Sequence, residues 1–327
     1  GARMYVNAAS SFGAATLLVT PSARHLITNN LEAERFEQEE KLQDQGWEFH
    51  VAPWYARDDT LARLTRGMRV GVDSPMPGAL DLSDDLMRLR IMLTPEERER
   101  LRVLGRLCTE AIEATARAMQ PGQTEQTISA RLAYEAELRG VQAVINIVAS
   151  DWRVGAFRHA LPTAKPLEKY AMLVLNGRRW GLVCSVTRFV HFGKMPDGLR
   201  RASDAVAQIA ATCLEATRPG KSLGEIFRLA VQTYAALGFA DEWRIHHQGG
   251  AVGYEPREFF ITSDSTETVI EGQAYVWNPS IGLARSVDTF LVGESENELL
   301  TASRSWPQLS VTAGHRAISR LAVLEVL

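Results

Sequence analysis

The chain has 327 residues, 46% of them hydrophobic and 23% charged, the composition of a folded globular protein rather than a disordered one. Its 36 basic and 39 acidic residues leave a net charge of −3, which argues against nucleic acid as a partner, because phosphate binding calls for a basic surface. No apolar run approaches the ~20 residues that span a bilayer, so no membrane segment is expected, and three cysteines without a CxxC pair suit a reducing cytoplasm.

The first elements read as α/β. ATLLVT (15–20) and RHLITN (24–29) form a predicted hairpin around Pro21-Ser22-Ala23. LEAERFEQEEKLQDQG (31–46) has helical charge spacing and ends at Gly46; WEFHVAPW (47–54) and MRVGVD (68–73) read as strands. SPMPGALD (74–81) marks a boundary, which divides the chain into expected domains 1–88 and 89–327.

Thr94-Pro95-Glu96-Glu97 carries the signature of a helix start, with a capping Thr, a Pro at the first helical position and a Glu that can return the bond. Beyond it lies an internal repeat. QPGQTEQTISARLAYEAELRG (120–140) matches RPGKSLGEIFRLAVQTYAALG (218–238), with Gly140 and Gly238 at the same offset from each Pro-Gly. Each copy follows an Ala-rich helix and precedes strand-like sequence. Two α-α-β units of this kind predict a pseudo-symmetric domain with a site between its halves.

Five further stretches carry a resemblance: RHALPTAKPL (158–167), GLVCSVTRFVHFG (181–193), HHQGGAVGYEPRE (246–258), EGQAYVWNPSIG (271–282) and SVDTFLV (286–292). In order and spacing they resemble the pita-bread family of methionine aminopeptidase, prolidase, aminopeptidase P and creatinase. The resemblance covers most of the chain, with the smaller α/β N-terminal domain entered partway through. It implies an α+β pita-bread domain built on the pseudo-twofold repeat, and by family analogy a homodimer.

Members of that family hold two divalent metals through two Asp, one His and two Glu. Carried over position by position, those ligands fall at Val174, Ser185, Gly250, Asn278 and Val287. Valine and glycine offer no side-chain lone pair, serine and asparagine no charge, so no metal and no cofactor are expected. His159, in the family's H-x-x-P-T pattern, is the implied acid/base, and His246 falls at a substrate-contacting histidine. Arg188, Arg257, Asn278, Ser185 and Glu258 are the candidate substrate-binding residues, an arginine-rich set that suits a carboxylate. His247 should face away from His246, because neighbours on a strand alternate, and is read as structural. Cys184 is read as a buried inert thiol, and the Gly249–Gly253 loop lacks the Lys-Ser/Thr of a phosphate-binding loop.

The functional expectation is a metal-independent hydrolase or related enzyme acting on a C–N bond of a small amino-acid-like or peptide substrate. The alternative is a non-catalytic descendant that binds a small molecule, peptide or protein partner in the same cleft. Last comes a metal-dependent Xaa-Pro peptidase whose ligands lie elsewhere in the sequence.

Overall fold

The computed structural model describes residues 13–74 and 76–327. Residues 1–12 of the expected first domain, and Pro75 in the boundary stretch, lie outside them. The chain divides into two compact units, one ending at Leu89 and one running from Arg90 to Leu327.

In the first unit, β1 (Thr16–Val19) and β2 (Arg24–Asn29) form the antiparallel hairpin, closed by a bond from the Thr20 amide to the Ala23 carbonyl. β3 (Trp47–Ala52) adds parallel to β2, and α1 (Ala33–Gln38) connects the two. The helix predicted over 31–46 is much shorter than its charge spacing suggests. Lys41 adopts φ 52°, and the chain folds back so that Leu42 joins Leu26 and Phe36 in a small core. Burying that leucine outweighs another turn of exposed helix. α2 (Thr60–Leu64), the short pair β4 (Gly71–Val72) and β5 (Leu80–Asp81), and α3 (Ser83–Arg90) follow; only two residues of the strand predicted at 68–73 form.

In the second unit, α4 (Pro95–Ala118) starts on the predicted box: Thr94 Oγ1 accepts from the Glu97 amide and Glu97 Oε2 accepts from the Thr94 amide. α5 (Glu125–Leu138) and β6 (Gln142–Ser150) complete the first α-α-β unit. After the short α6 (Arg153–Ala156) come two long strands, β7 (Tyr170–Arg179) and β8 (Leu182–Phe192). α7 (Asp197–Ala216), α8 (Leu223–Ala236) and β9 (Gly249–Val252) form the second copy. The repeat is physical: Gly122 and Gly220 donate to Leu167 and Val269, and Gly140 and Gly238 end their helices at φ 67° and 85°, where a side chain would be strained.

β10 (Phe259–Phe260), β11 (Ala274–Trp277), the pair β12 (Ser280–Ile281) and β13 (Ala284–Arg285), and β14 (Asp288–Leu291) follow. They precede β15 (Glu298–Leu299), the hairpin β16 (Gln308–Ala313) and β17 (Arg316–Leu321), and β18 (Leu324–Val326). The main sheet runs β10-β9-β11-β14-β8-β7-β6, with β15 on β14 and β18 parallel to β8. Strand alternation sorts its faces. Leu173 and Leu175 of β7 pack under α4 with Leu101, Leu104 and Ile112, while Val174 turns to the opposite face, where the candidate site lies.

Candidate active site

A cavity of about 330 Å³ opens on that face, lined by His159, His247, Arg257, Arg285, Asn176 and Asn278 together with Val174, Val287, Ile145, Ile147, Pro256 and Phe260. No carboxylate stands among these residues. Val174 and Asn176 come from alternate positions of β7, and Asn278 and Val287 follow and precede the central strands β11 and β14. Three of the five positions singled out by the resemblance, Val174, Asn278 and Val287, are therefore at this wall; Ser185, fully buried, lies opposite Asn176 on β8 and reaches the cavity through Arg257.

Arg257 Nη1 donates to Ser185 Oγ at 3.2 Å and to the carbonyl of Pro256, and its buried Nε has no partner. Gly250 makes this possible. A Cβ there would run into the Phe259 carbonyl and come within 3.2 Å of Arg257 Cδ, so the arginine stem lies where a side chain at 250 would begin. Arg285, which the sequence reading did not single out, is the second cation of the site, and it is buried where Arg257 is half-buried. Its Nη2 donates to the Arg158 carbonyl at 3.2 Å, and its Nε is also without a partner. Among the described residues neither guanidinium meets a carboxylate, and burial draws both down to about 10.

Three imidazoles complete the site. His159 Nε2 and His246 Nε2 lie 3.5 Å apart. The His247 ring lies tilted against His246, with ring centroids 4.2 Å apart, and its Nδ1 is buried without a partner. The expectation that His247 would point away is corrected. It presumed a strand, but the chain leaves a 3-10 turn (Glu242–Ile245) just before His246, and β9 begins only at Gly249, so alternation does not apply. Ring nitrogens of all three lie within 4.8 Å of one another. Burial, then Arg285, lowers His246 to about 4; burial, then His246 and Arg257, lowers His247 to about 3. His159, more exposed, is lowered by burial and then Arg285. All three are neutral at pH 7.

The tautomers follow from the partners. His246 Nδ1 lies 2.8 Å from the His247 carbonyl and 3.0 Å from the Asn278 amide. An Nδ1–H given to that carbonyl requires the Asn278 amide to face Nδ1 through its oxygen, which is otherwise without a partner, and leaves the His246 Nε2 lone pair facing His159, which can donate its Nε2–H and keep a free lone pair on Nδ1. Gln248 fixes the arrangement from behind: its Nε2 donates to the His246 carbonyl at 2.8 Å and its Oε1 accepts from Tyr234 at 2.9 Å.

Two expected ligand contacts are absent from this wall. Arg188 lies buried under the sheet, bonded to Asp288 at 3.1 Å and to the Thr301 carbonyl at 2.7 Å, with Glu113 at 3.5 Å; Asp288 also takes Arg320 at 2.7 Å. That network neutralises it as a core ion pair. Glu258 turns its carboxylate to Arg90 and to the amides of Tyr254 and Glu255, and so braces the turn before β10. Cys184 is buried, and it raises the neighbouring Cys108 thiol by hydrogen bonding, as suits an inert pair. Arg285 and Gln248 carried no legible signal; an arginine immediately before SVDTFLV reads as any surface arginine.

The chain's relatives agree with the fold. Metallopeptidase family M24 matches residues 99–298. The Xaa-Pro dipeptidase of Pyrococcus furiosus is 24% identical over 321 residues, 91% of this chain and 90% of that one. The agropine synthesis cyclase of Rhizobium rhizogenes is 31% identical over 113 residues, 33% of this chain and 28% of its own. Among solved structures, the Xaa-Pro dipeptidase from Bacillus anthracis superposes with a TM-score of 0.79 at 20% identity, over 98% of this chain and 91% of that one. The α+β pita-bread architecture with a smaller N-terminal domain is that of these neighbours. No helix among the described residues is long and apolar enough to cross a membrane.

Proposed function

The chain belongs to metallopeptidase family M24, and we propose that its cleft works without a dinuclear metal centre, on a small amino-acid-like or peptide substrate held by its carboxylate. One observation carries this reading: among the described residues the cavity is lined by two guanidiniums without a carboxylate partner, two imidazoles with His246 beside them, two amides, and no acid. A pair of divalent ions needs anionic oxygen ligands to replace its water and offset its charge. Here a buried and a half-buried cation occupy that ground, and they repel a metal and attract an anion. The three imidazoles alone have the reach to bind one ion, but Arg285 and Arg257 act on them electrostatically with the wrong sign.

The reaction we assign is hydrolysis of a C–N bond. His159 Nδ1 removes a proton from water as its oxygen adds to the substrate carbonyl carbon; the C–N bond then breaks, and the same proton passes to the leaving nitrogen. His246 holds the His159 ring through the Nε2 contact, while Arg257 and Arg285 bind the carboxylate and Asn278 lies within reach of the developing oxyanion. The name Xaa-Pro dipeptidase among the relatives points to dipeptides, whose free C-terminal carboxylate matches the arginines. The cyclase among them is named for a different chemistry, in keeping with a cleft that has departed from metallopeptidase work.

Turnover of Xaa-Pro dipeptides in the presence of EDTA tests this. The expected result is product release indifferent to chelator, with His159→Ala reducing kcat at least about 100-fold while dipeptide binding is kept. Activity lost in EDTA and restored by a divalent ion overturns the metal-free reading. Binding without turnover, unchanged in His159→Ala, overturns the catalytic one in favour of a binding protein.

A further inference from the structure

A second histidine cluster lies in the first unit, outside the cleft. His25 of β2 pairs with Glu48 of β3, and His50 lies two residues beyond Glu48 on the same strand face. The opposite face, through Leu26 and Phe49, packs against the small core under α1. Parallel pairing thus fixes two imidazoles and a carboxylate side by side. His25 Nδ1 lies 3.1 Å from His50 Nε2 and 3.1 Å from Glu48 Oε2, and all three atoms fall within 4.8 Å.

Those separations are close to the ~3.3 Å between ligand atoms of a tetrahedral zinc with bonds of ~2.0–2.1 Å. Hydrogen bonding accounts for the cluster less well. A single proton on His25 Nδ1 would have to serve both His50 and Glu48, whereas a cation takes all three lone pairs at once. Glu48 is 64% exposed on its side chain and so brings its charge at little cost.

We propose that His25, Glu48 and His50 form a mononuclear site for a borderline divalent cation of the zinc class, with water completing the shell on the exposed side. Two imidazoles and one carboxylate make a zinc-type donor set, and the solvent-facing side leaves the fourth position open. Bound there, the ion links β2 to β3 and raises the stability of the small first unit by mass action.

The test is a zinc titration of the full chain by calorimetry, with cobalt(II) absorption reporting ligand geometry. The expected result is one equivalent bound, lost in His50→Gln, weakened at least about tenfold in the exposed and structurally mild Glu48→Gln, and unchanged in His247→Gln. No zinc bound, zinc retained by both His50→Gln and Glu48→Gln, or zinc lost in His247→Gln overturns the proposal. None of these outcomes depends on whether the cleft turns over dipeptides.

Discussion

Each unit of this protein gathers a cluster of imidazoles, and the two differ chiefly in the charge that surrounds them. In the cleft His159, His246 and His247 converge to within 4.8 Å, but the groups set against them are Arg257 and Arg285. In the first unit His25 and His50 come as close, but the group between them is the carboxylate of Glu48. Imidazole can donate to an anion or ligate a cation, and converging nitrogens do not decide between the two. The fixed charges beside them bias the choice: guanidiniums beside one cluster favour an anion, and a carboxylate beside the other favours a cation. The contrast warns against reading a trio of histidines as a metal site by distance alone.

Reversing the sign in the cleft gives the largest effect. Arg285 acts on all three cleft histidines. Arg285→Glu is therefore expected to weaken binding of a Gly-Pro dipeptide, measured calorimetrically in EDTA, by about 100-fold, the scale of a lost charge-assisted contact plus a new repulsion. The same variant should bind a second zinc equivalent at the three imidazoles. Unchanged dipeptide affinity would break the comparison, because neighbouring charge would then not decide what the cleft accepts.

A second effect comes from protonation. His246 is depressed to about 4 in the folded chain, against about 6.5 when unfolded. Between those values the unfolded chain binds the extra proton, so stability rises with pH in that window. The contribution is complete above pH ~6.5 and is lost as pH falls toward 4, on the order of 3 kcal/mol. The thermal midpoint should therefore drop across pH 6.5 to 4, and less in His246→Gln. A midpoint that stays flat over this range would mean that the cleft imidazoles are not held neutral by burial and the arginines.

How much of this could be read from the residues depends on the range of the interaction. The capping box at Thr94 and the paired Gly140 and Gly238 were legible because helix ends are decided within a few residues. Val174, Asn278 and Val287 were found through spacing, and strand alternation carried them to the cavity wall. Glu258 was assigned to the ligand on chemistry alone, yet the turn before β10 gives its oxygens to local amides. Arg188 had the right charge but meets Asp288 a hundred residues away, and no local pattern announces that pairing. Arg285 is the converse: its environment is set by burial among distant segments. His25, Glu48 and His50 needed the parallel register of β2 on β3, which a sequence read strand by strand does not supply.

The smallest change sharpens the comparison most finely. Asn278 lies in the cleft where Glu48 lies in the first unit, with a side-chain head 3.0 Å from an imidazole nitrogen, but as a neutral amide. Asn278→Asp nearly preserves shape and adds one negative charge beside His246 Nδ1. It should raise the His246 pKa and lower Gly-Pro affinity about fivefold, since a new carboxylate repels the ligand's own while both arginines remain. Zinc stoichiometry should stay at one, because a single acid does not outweigh Arg257 and Arg285. A second zinc in this variant would show that the imidazoles need only one carboxylate to become a metal site, and that the arginines are bystanders to the sign of the cleft rather than its cause.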